Sequence, residues 1–323
     1  MTRLSRIAIA AAALCGVVFA SQAHAQSYPN RPITVIVPFG AGSATDTICR
    51  IVVQQLGVAL NTGIVVENKA GAIGAIAGAF VARAAPDGYT LLMATNSPLS
   101  AAPSLNKTIS YDPINDFVGL SRVGSYVFVL AVHPDVPAKT LPELIAYAKA
   151  NPGKLTFASG NSSGVVAGET FKSWAGIDIT HVPYRTAPPA INDLLAGRVS
   201  MMFTDITIAG PHLKSGGLRA LATTRLQRST LFPELPTLNE AGVKGFDMDS
   251  WAGLFAPAKT PPDIVKRLNV ELRKIIDNPD TKTKIAVLGF EAFSSSTEEL
   301  AEHVKVQLGK WTKMIKDAGI QAE

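Results

Sequence analysis

Three loops in this sequence carry residue types that bind or attack small polar molecules. Pro38-Phe-Gly-Ala-Gly-Ser-Ala-Thr-Asp46 lies between the apolar run Ile33–Val37 and a helical pattern. Gly40 and Gly42 let the backbone turn and approach a ligand closely. The free N–H groups of a starting helix carry partial positive charge. Phe39, Gly40, Ala41, Gly42, Ser43, Ala44 and Thr45 are therefore a candidate anion site. Asp46 is set apart, because three residues after Ser43 it completes a capping box for its own helix and would repel an anion. The same glycines approach the dinucleotide pattern G-x-G-x-x-G, with Glu67 placed to bind ribose. Thr45 stands where the third glycine belongs, which weakens that reading.

The second loop admits two chemistries. Gly160-Asn161-Ser162-Ser163-Gly164 matches the nucleophile-elbow pattern G-x-S-x-G. Asp205 ends the run VSMMFTD, and His212 or His303 follows, giving the order Ser, Asp, His of a secreted serine esterase. No HGGG-like oxyanion segment lies upstream, and His212 is only seven residues past Asp205. The simpler reading makes Ser159–Ser163 a helix-start loop whose N–H and O–H groups donate to a ligand. The third loop, Ala70–Gly74, opens another helix, and Arg185 sits between a strand and a proline-led helix start, where its charge can face a ligand. His133 and His181 read as hydrogen-bonded structural residues. No histidine pair has metal-ligand spacing, so neither metal nor cofactor is expected.

Composition places these loops outside the cytoplasm. Arg3 and Arg6 precede the apolar run Ile7–Ala20, and Ala23-His24-Ala25 has the small-x-small form of a leader-peptidase site. The expectation is a signal peptide over residues 1–25, cut after Ala25. Its loss lowers Lys and Arg from 30 to 28 against 25 Asp and Glu. The remaining cations are dispersed, which excludes a phosphate-tracking surface and argues for no nucleic acid partner. Of the two cysteines only Cys49 remains, so no internal disulfide can form; its apolar neighbours mark it as a buried small hydrophobe. No later stretch has the length and apolarity to span a bilayer.

Short runs apolar on both faces alternate with helical stretches, which predicts an α/β fold with parallel sheets. Strands are expected at 33–37, 63–66, 89–94, 126–132, 155–158, 177–182, 199–203 and 218–222, and helices at 48–60, 73–85, 141–150, 165–174 and 190–195. Thr140-Leu-Pro-Glu143 and Ser296-Thr-Glu-Glu299 read as capping boxes. Two terminal helices are expected, from Pro261 to about Asp277 and from Ser296 to about Ala318. SYVFVLAVHPD (125–135) and DSWAGLFAP (249–257) read as crossings between lobes. One lobe is then 27–126 plus 252–323, and the other is 127–251.

Taken together the sequence resembles one family, the extracytoplasmic solute receptors of tripartite tricarboxylate transporters, or Bug receptors. The resemblance rests on YPNRPITVIVPFGAGSATD, VVENKAGAIG, AAPDGYTLLMATNS, YDPINDF, LIAYAKANPGKLTFASGN, HVPYRTAPPAINDLLAGRV, LRALATT, LPTLNEAGVKGF and SWAGLFAPAKTP, in family order along nearly the whole chain after residue 25. It implies a two-lobed periplasmic binding protein fold (type II-like) with two crossing strands, and no catalysis. It implies a carboxylate gripped between Phe39–Asp46 of one lobe and Ser159–Ser163 of the other, bordered by Gly71 and Ala72. Ser97, Arg185 and Asp205 complete the candidate set. The implied partners are membrane permease subunits, with the receptor itself a monomer; a membrane sensor is the alternative client. Val165-Val166 stands where the family often has a histidine, and Phe39-Gly40-Ala41 where it more often has a glycine pair, which favours an aromatic or dicarboxylic acid over a citrate-like one.

Overall fold

The side chains of Val35, Ile36 and Val37 are all fully buried, so the strand that carries them must be covered on both faces. A computed structural model describes residues 28–322 and satisfies that demand; the expected signal peptide lies outside the described residues. Strands β1 (Ile33–Val37), β2 (Ile64–Asn68), β3 (Thr90–Thr95), β4 (Phe117–Tyr126), β10 (Ser250–Pro257) and β11 (Phe290–Ala292) form one sheet in the order β11-β4-β10-β3-β1-β2. Strands β5 (Phe128–Val132), β6 (Leu155–Ser159), β7 (Ile179–Pro183), β8 (Met201–Asp205) and β9 (Arg219–Thr223) form the other, in the order β7-β6-β8-β5-β9.

The sheets are mixed rather than parallel. β1 pairs parallel with β2 and β3, and β6 with β7 and β8. β10 runs antiparallel to β3 and β4, and β5 antiparallel to β8 and β9. The exceptions are the strands at which the chain changes sheet. It leaves the first sheet at Tyr126 and enters the second at Phe128, and it returns to the first at Ser250. A strand fed directly from another sheet has no helical crossover to set it parallel. The segment expected as one strand, 126–132, is therefore the end of one strand and the whole of another.

Helix α1 (Ala44–Leu60) has Ser43 as N-cap and a left-handed Asn61 as C-cap. Helix α2 (Ala75–Ala82) packs on the first sheet's core, and α3 (Ala102–Leu105) touches both cores, Ala102 the first and Leu105 the second. Helix α4 (Leu141–Ala150) is capped by Thr140, but Glu143 accepts the N–H of Lys139 at 2.7 Å rather than that of Thr140. Helices α5 (Ser162–Ala175), α6 (Ala187–Leu195) and α7 (Ile206–Lys214) follow β6, β7 and β8. The C-terminal region holds three helices where two were expected: α8 (Pro262–Asp277), α9 (Pro279–Ala286) and α10 (Thr297–Asp317). The capping box at Ser296 and Glu299 forms in full.

Helix α10 joins the two cores. Its Leu300 and Val304 pack with Trp251 and Phe255 of the first sheet's core. Its Trp311 and Ile315, two turns on, pack with Phe128, Phe157 and Phe171 of the second. Ion pairs add to the junction: Arg225 Nη1 meets Glu291 Oε2 at 2.6 Å, and Lys310 Nζ meets Asp247 Oδ2 at 2.8 Å. No helix among the described residues is long and apolar enough to cross a membrane.

Candidate functional site

The loop after β1 organises its own helix start. Ser43 Oγ accepts the Asp46 N–H at 3.3 Å, and Asp46 accepts the Gly42 N–H at 3.0 Å. Burial opposes ionisation of Asp46, yet hydrogen bonds from Arg50, Asn68 and Gly42 outweigh it and hold the carboxyl below its usual range. Asp46 is thus spent on structure, but the expected capping box forms only in part, because its carboxylate accepts the N–H of Gly42 and not that of Ser43.

Contacts between the two sheets' loops are close. Ser162 Oγ donates to Ser97 Oγ at 2.6 Å, and Asn96 Nδ2 donates to Ser163 Oγ at 2.7 Å. Ser162 and Ser97 are essentially inaccessible to water. Beside them Tyr126 donates its hydroxyl to Thr45 Oγ1 at 3.1 Å. A Cβ on Gly40 would lie 3.1 Å from the methyl of Thr186, across the interface. A Cβ on Gly160 would lie 2.3 Å from the Ala187 nitrogen, so only glycine lets this loop meet the start of α6.

A cavity of about 500 Å³ opens beside these contacts, walled by both halves of the molecule. Of the expected ligand residues, Phe39, Gly71, Ala72, Ser159, Gly160, Asn161 and Arg185 line it. Gly40, Ala41, Gly42, Ser43, Ala44, Thr45, Ser97, Ser162, Ser163 and Asp205 do not: the serines, Ala44, Thr45 and Asp205 are buried, and Ala41 and Gly42 face solvent. Arg185 Nη2 reaches over the mouth to the Ala70 carbonyl at 2.9 Å. Ala72 and Ile73, which follow Ala70 along the cavity wall, both hold left-handed backbone, with φ of 47° and 57°. Such conformations cost a side-chain-bearing residue energy and persist where packing dictates them, often at ligand clamps.

The cavity also has walls that sequence reasoning left out. His181 lines it, its Nε2 paired with Ser159 Oγ at 2.6 Å and its ring stacked on Phe157. Glu169 lines it from the second turn of α5, and residues 318–321 cross it from beyond α10. His181 had a signal, since it alternates with Ile179 on a strand that ends at the Arg185 loop. Nothing in the sequence brings the C-terminal segment here; that depends on Trp311 and Ile315 docking on the second core.

The esterase geometry is not supported. The hydroxyl of Ser162 is bonded to a serine, while the His303 ring packs edge-on against Trp251 with no partner for Nε2. Burial lowers the His303 pKa to about 4. His212 lies in the last turn of α7. Among the described residues no group of three or more His, Cys, Asp or Glu could hold a metal ion. Asp205 is buried at the start of α7, and desolvation raises its pKa to about 7.

Residues 48–320 match the family described as "Tripartite tricarboxylate transporter family receptor". Protein BugT of Bordetella pertussis is 34% identical over 322 residues, covering 99% of this chain and 98% of that protein. The solved structure of R. palustris Rpa4515 with adipate is 31% identical with a TM-score of 0.89, over 92% of this chain and 100% of that one. Periplasmic binding protein BugD is 34% identical with a TM-score of 0.87, over the same shares of the two chains. The chain belongs to this receptor family: it has the two-lobed periplasmic binding protein fold and is a solute-binding protein of a transport system, not an enzyme.

Proposed function

We propose that the protein captures an organic carboxylate in the cavity between its lobes and delivers it to the membrane permease subunits of a tripartite transporter. The observation that carries this reading is Arg185, a cation of one lobe that bridges to the Ala70 carbonyl of the other at the mouth of a cavity lined by both. Guanidinium is the side chain best matched to carboxylate geometry. The relative holding adipate supports the ligand class. Phe39 and the apolar residues Ile73, Leu105 and Val165 support a ligand with a substantial carbon skeleton, in keeping with an aromatic or dicarboxylic acid.

In this reading the lobes are 27–126 plus 252–323 and 127–251, hinged at the two crossings, and the receptor works as a monomer exported through a leader cut after Ala25. Ligand contacts come from Phe39, Gly71, Ala72, Ser159, Gly160, Asn161 and Arg185. The Ser97–Ser162 and Asn96–Ser163 bonds hold the lobes together around the cargo. A ligand shifts the open–closed equilibrium only by its differential affinity for the two states, and a group touching both lobes has that differential built in.

The test is the melting temperature of residues 26–323 against a panel of mono- and dicarboxylates. Free ligand at about 100 times its Kd adds roughly 2.7 kcal/mol of stability. A selective upward shift that Arg185→Gln abolishes is the expected result. An unmoved melting curve for every acid would defeat the proposal.

A further inference from the structure

Among the described residues, Glu169 is the one acidic residue lining the cavity. It is half-buried, four residues past Val165 on the same face of α5, and it has no hydrogen bond or ion pair with any described residue. It lies eight residues past the N-cap Asn161, roughly 12 Å along the axis at about 1.5 Å per residue. Ser159 and Asn161 stand at the start of α5 and Arg185 in the loop after β7, so Glu169, two turns along the helix, stands apart from these donors.

We propose, building on the carboxylate reading above, that the cargo is not a plain diacid: one end is a carboxylate held by the Arg185 loop, and the other carries an amide or ammonium group that donates to Glu169. Cargo filling the cavity displaces water from the Glu169 carboxylate and leaves it needing a donor. A second carboxylate at that end would face a like charge in a partly dehydrated space, where screening by salt is weakest. An amide or ammonium supplies the missing N–H. Leu105, Val165 and Ile320, which line the same cavity, accept the carbon skeleton between the two ends.

Isothermal titration of residues 26–323 tests this with two matched sets: adipate, its monoamide and 6-aminohexanoate; terephthalate, its monoamide and 4-(aminomethyl)benzoate. In the better-bound set the monoamide or the amino acid binds at least tenfold more tightly than the diacid. Glu169→Gln erases that preference, chiefly by tightening the diacid, while Arg185→Gln weakens all members alike. Glu169→Ala serves as a second variant if the glutamine supplies a donor of its own. Equal binding of diacid and monoamide, with a ranking that neither Glu169 variant changes, overturns the proposal and leaves the carboxylate reading intact. Failure of all six acids to bind, with Arg185→Gln indistinguishable from wild type, overturns both.

Discussion

Asp205 gives the clearest expectation at the scale of a single residue. Its pKa is about 7 in the folded protein because burial disfavours the carboxylate, against an ordinary value near 4 in the unfolded chain. Between those values the folded state binds the extra proton, so stability falls as pH rises from 4 to 7 and the cost is fully present above 7. Asp205→Asn removes the ionisation: its melting temperature should exceed that of wild type at pH 8, by a few degrees, and match it near pH 4. Equal pH profiles for the two proteins would refute the assignment. Gly40 makes a different kind of demand. Gly40→Ala presses a methyl onto Thr186 across the interface, and the expected result is weaker ligand binding with little change in the melting temperature of the free protein. Part of the cavity's lining was legible in such residues. Glycines at 71 and 160, the Ser159–Asn161 loop and Arg185 were found because strand–loop–helix junctions concentrate free donors. Ser162 and Asp205 were less informative, because a motif does not say whether its hydroxyl faces a cavity or a neighbouring serine.

At the scale of elements, α10 is a tie rather than a tail. It buries Leu300 and Val304 on one side of the molecule and Trp311 on the other. Trp311→Ala should cost about 3–5 kcal/mol, the usual range for an emptied aromatic site in a core, and it should also loosen residues 318–321 from the cavity. Chemical denaturation reads the first effect, and proteolysis at the C-terminus the second. Ser296→Ala removes only the cap and should cost about 1 kcal/mol. Helices with clear caps were legible almost to the residue, as at α4 and α10. Strand β4 was not, because Gly119, Ser121, Arg122, Gly124 and Ser125 interrupt its apolar run; pairing with β10 and β11 supplies what local pattern lacks. Helix α7 was missed because Gly210 and Pro211 sit inside it.

For the whole molecule, the chain passes from the first sheet to the second between Tyr126 and Phe128 and returns at Ser250, but the joining of the two cores by α10 was invisible to any local signal. Among the polar contacts between the halves are the two that Ser97 and Asn96 make to α5. Replacing Ser97 and Asn96 by alanine removes both bonds to α5, and the radius of gyration of the unliganded protein in solution should increase. An unchanged radius would mean that packing at Gly40, and not these bonds, sets the closed form. The strand order of the first sheet has a further consequence, in the order of assembly. β10 lies between β3 and β4, so that sheet stays split until the chain beyond residue 250 arrives. All five strands of the second sheet come from the uninterrupted stretch 128–223. A chain emerging from its N-terminus should therefore complete the second sheet first, while the first waits for its central strand. Pulse-labelled amides of β6 and β8 should gain protection before those of β3, and the reverse order would mean that β1, β2 and β3 settle without the strand that later divides β3 from β4.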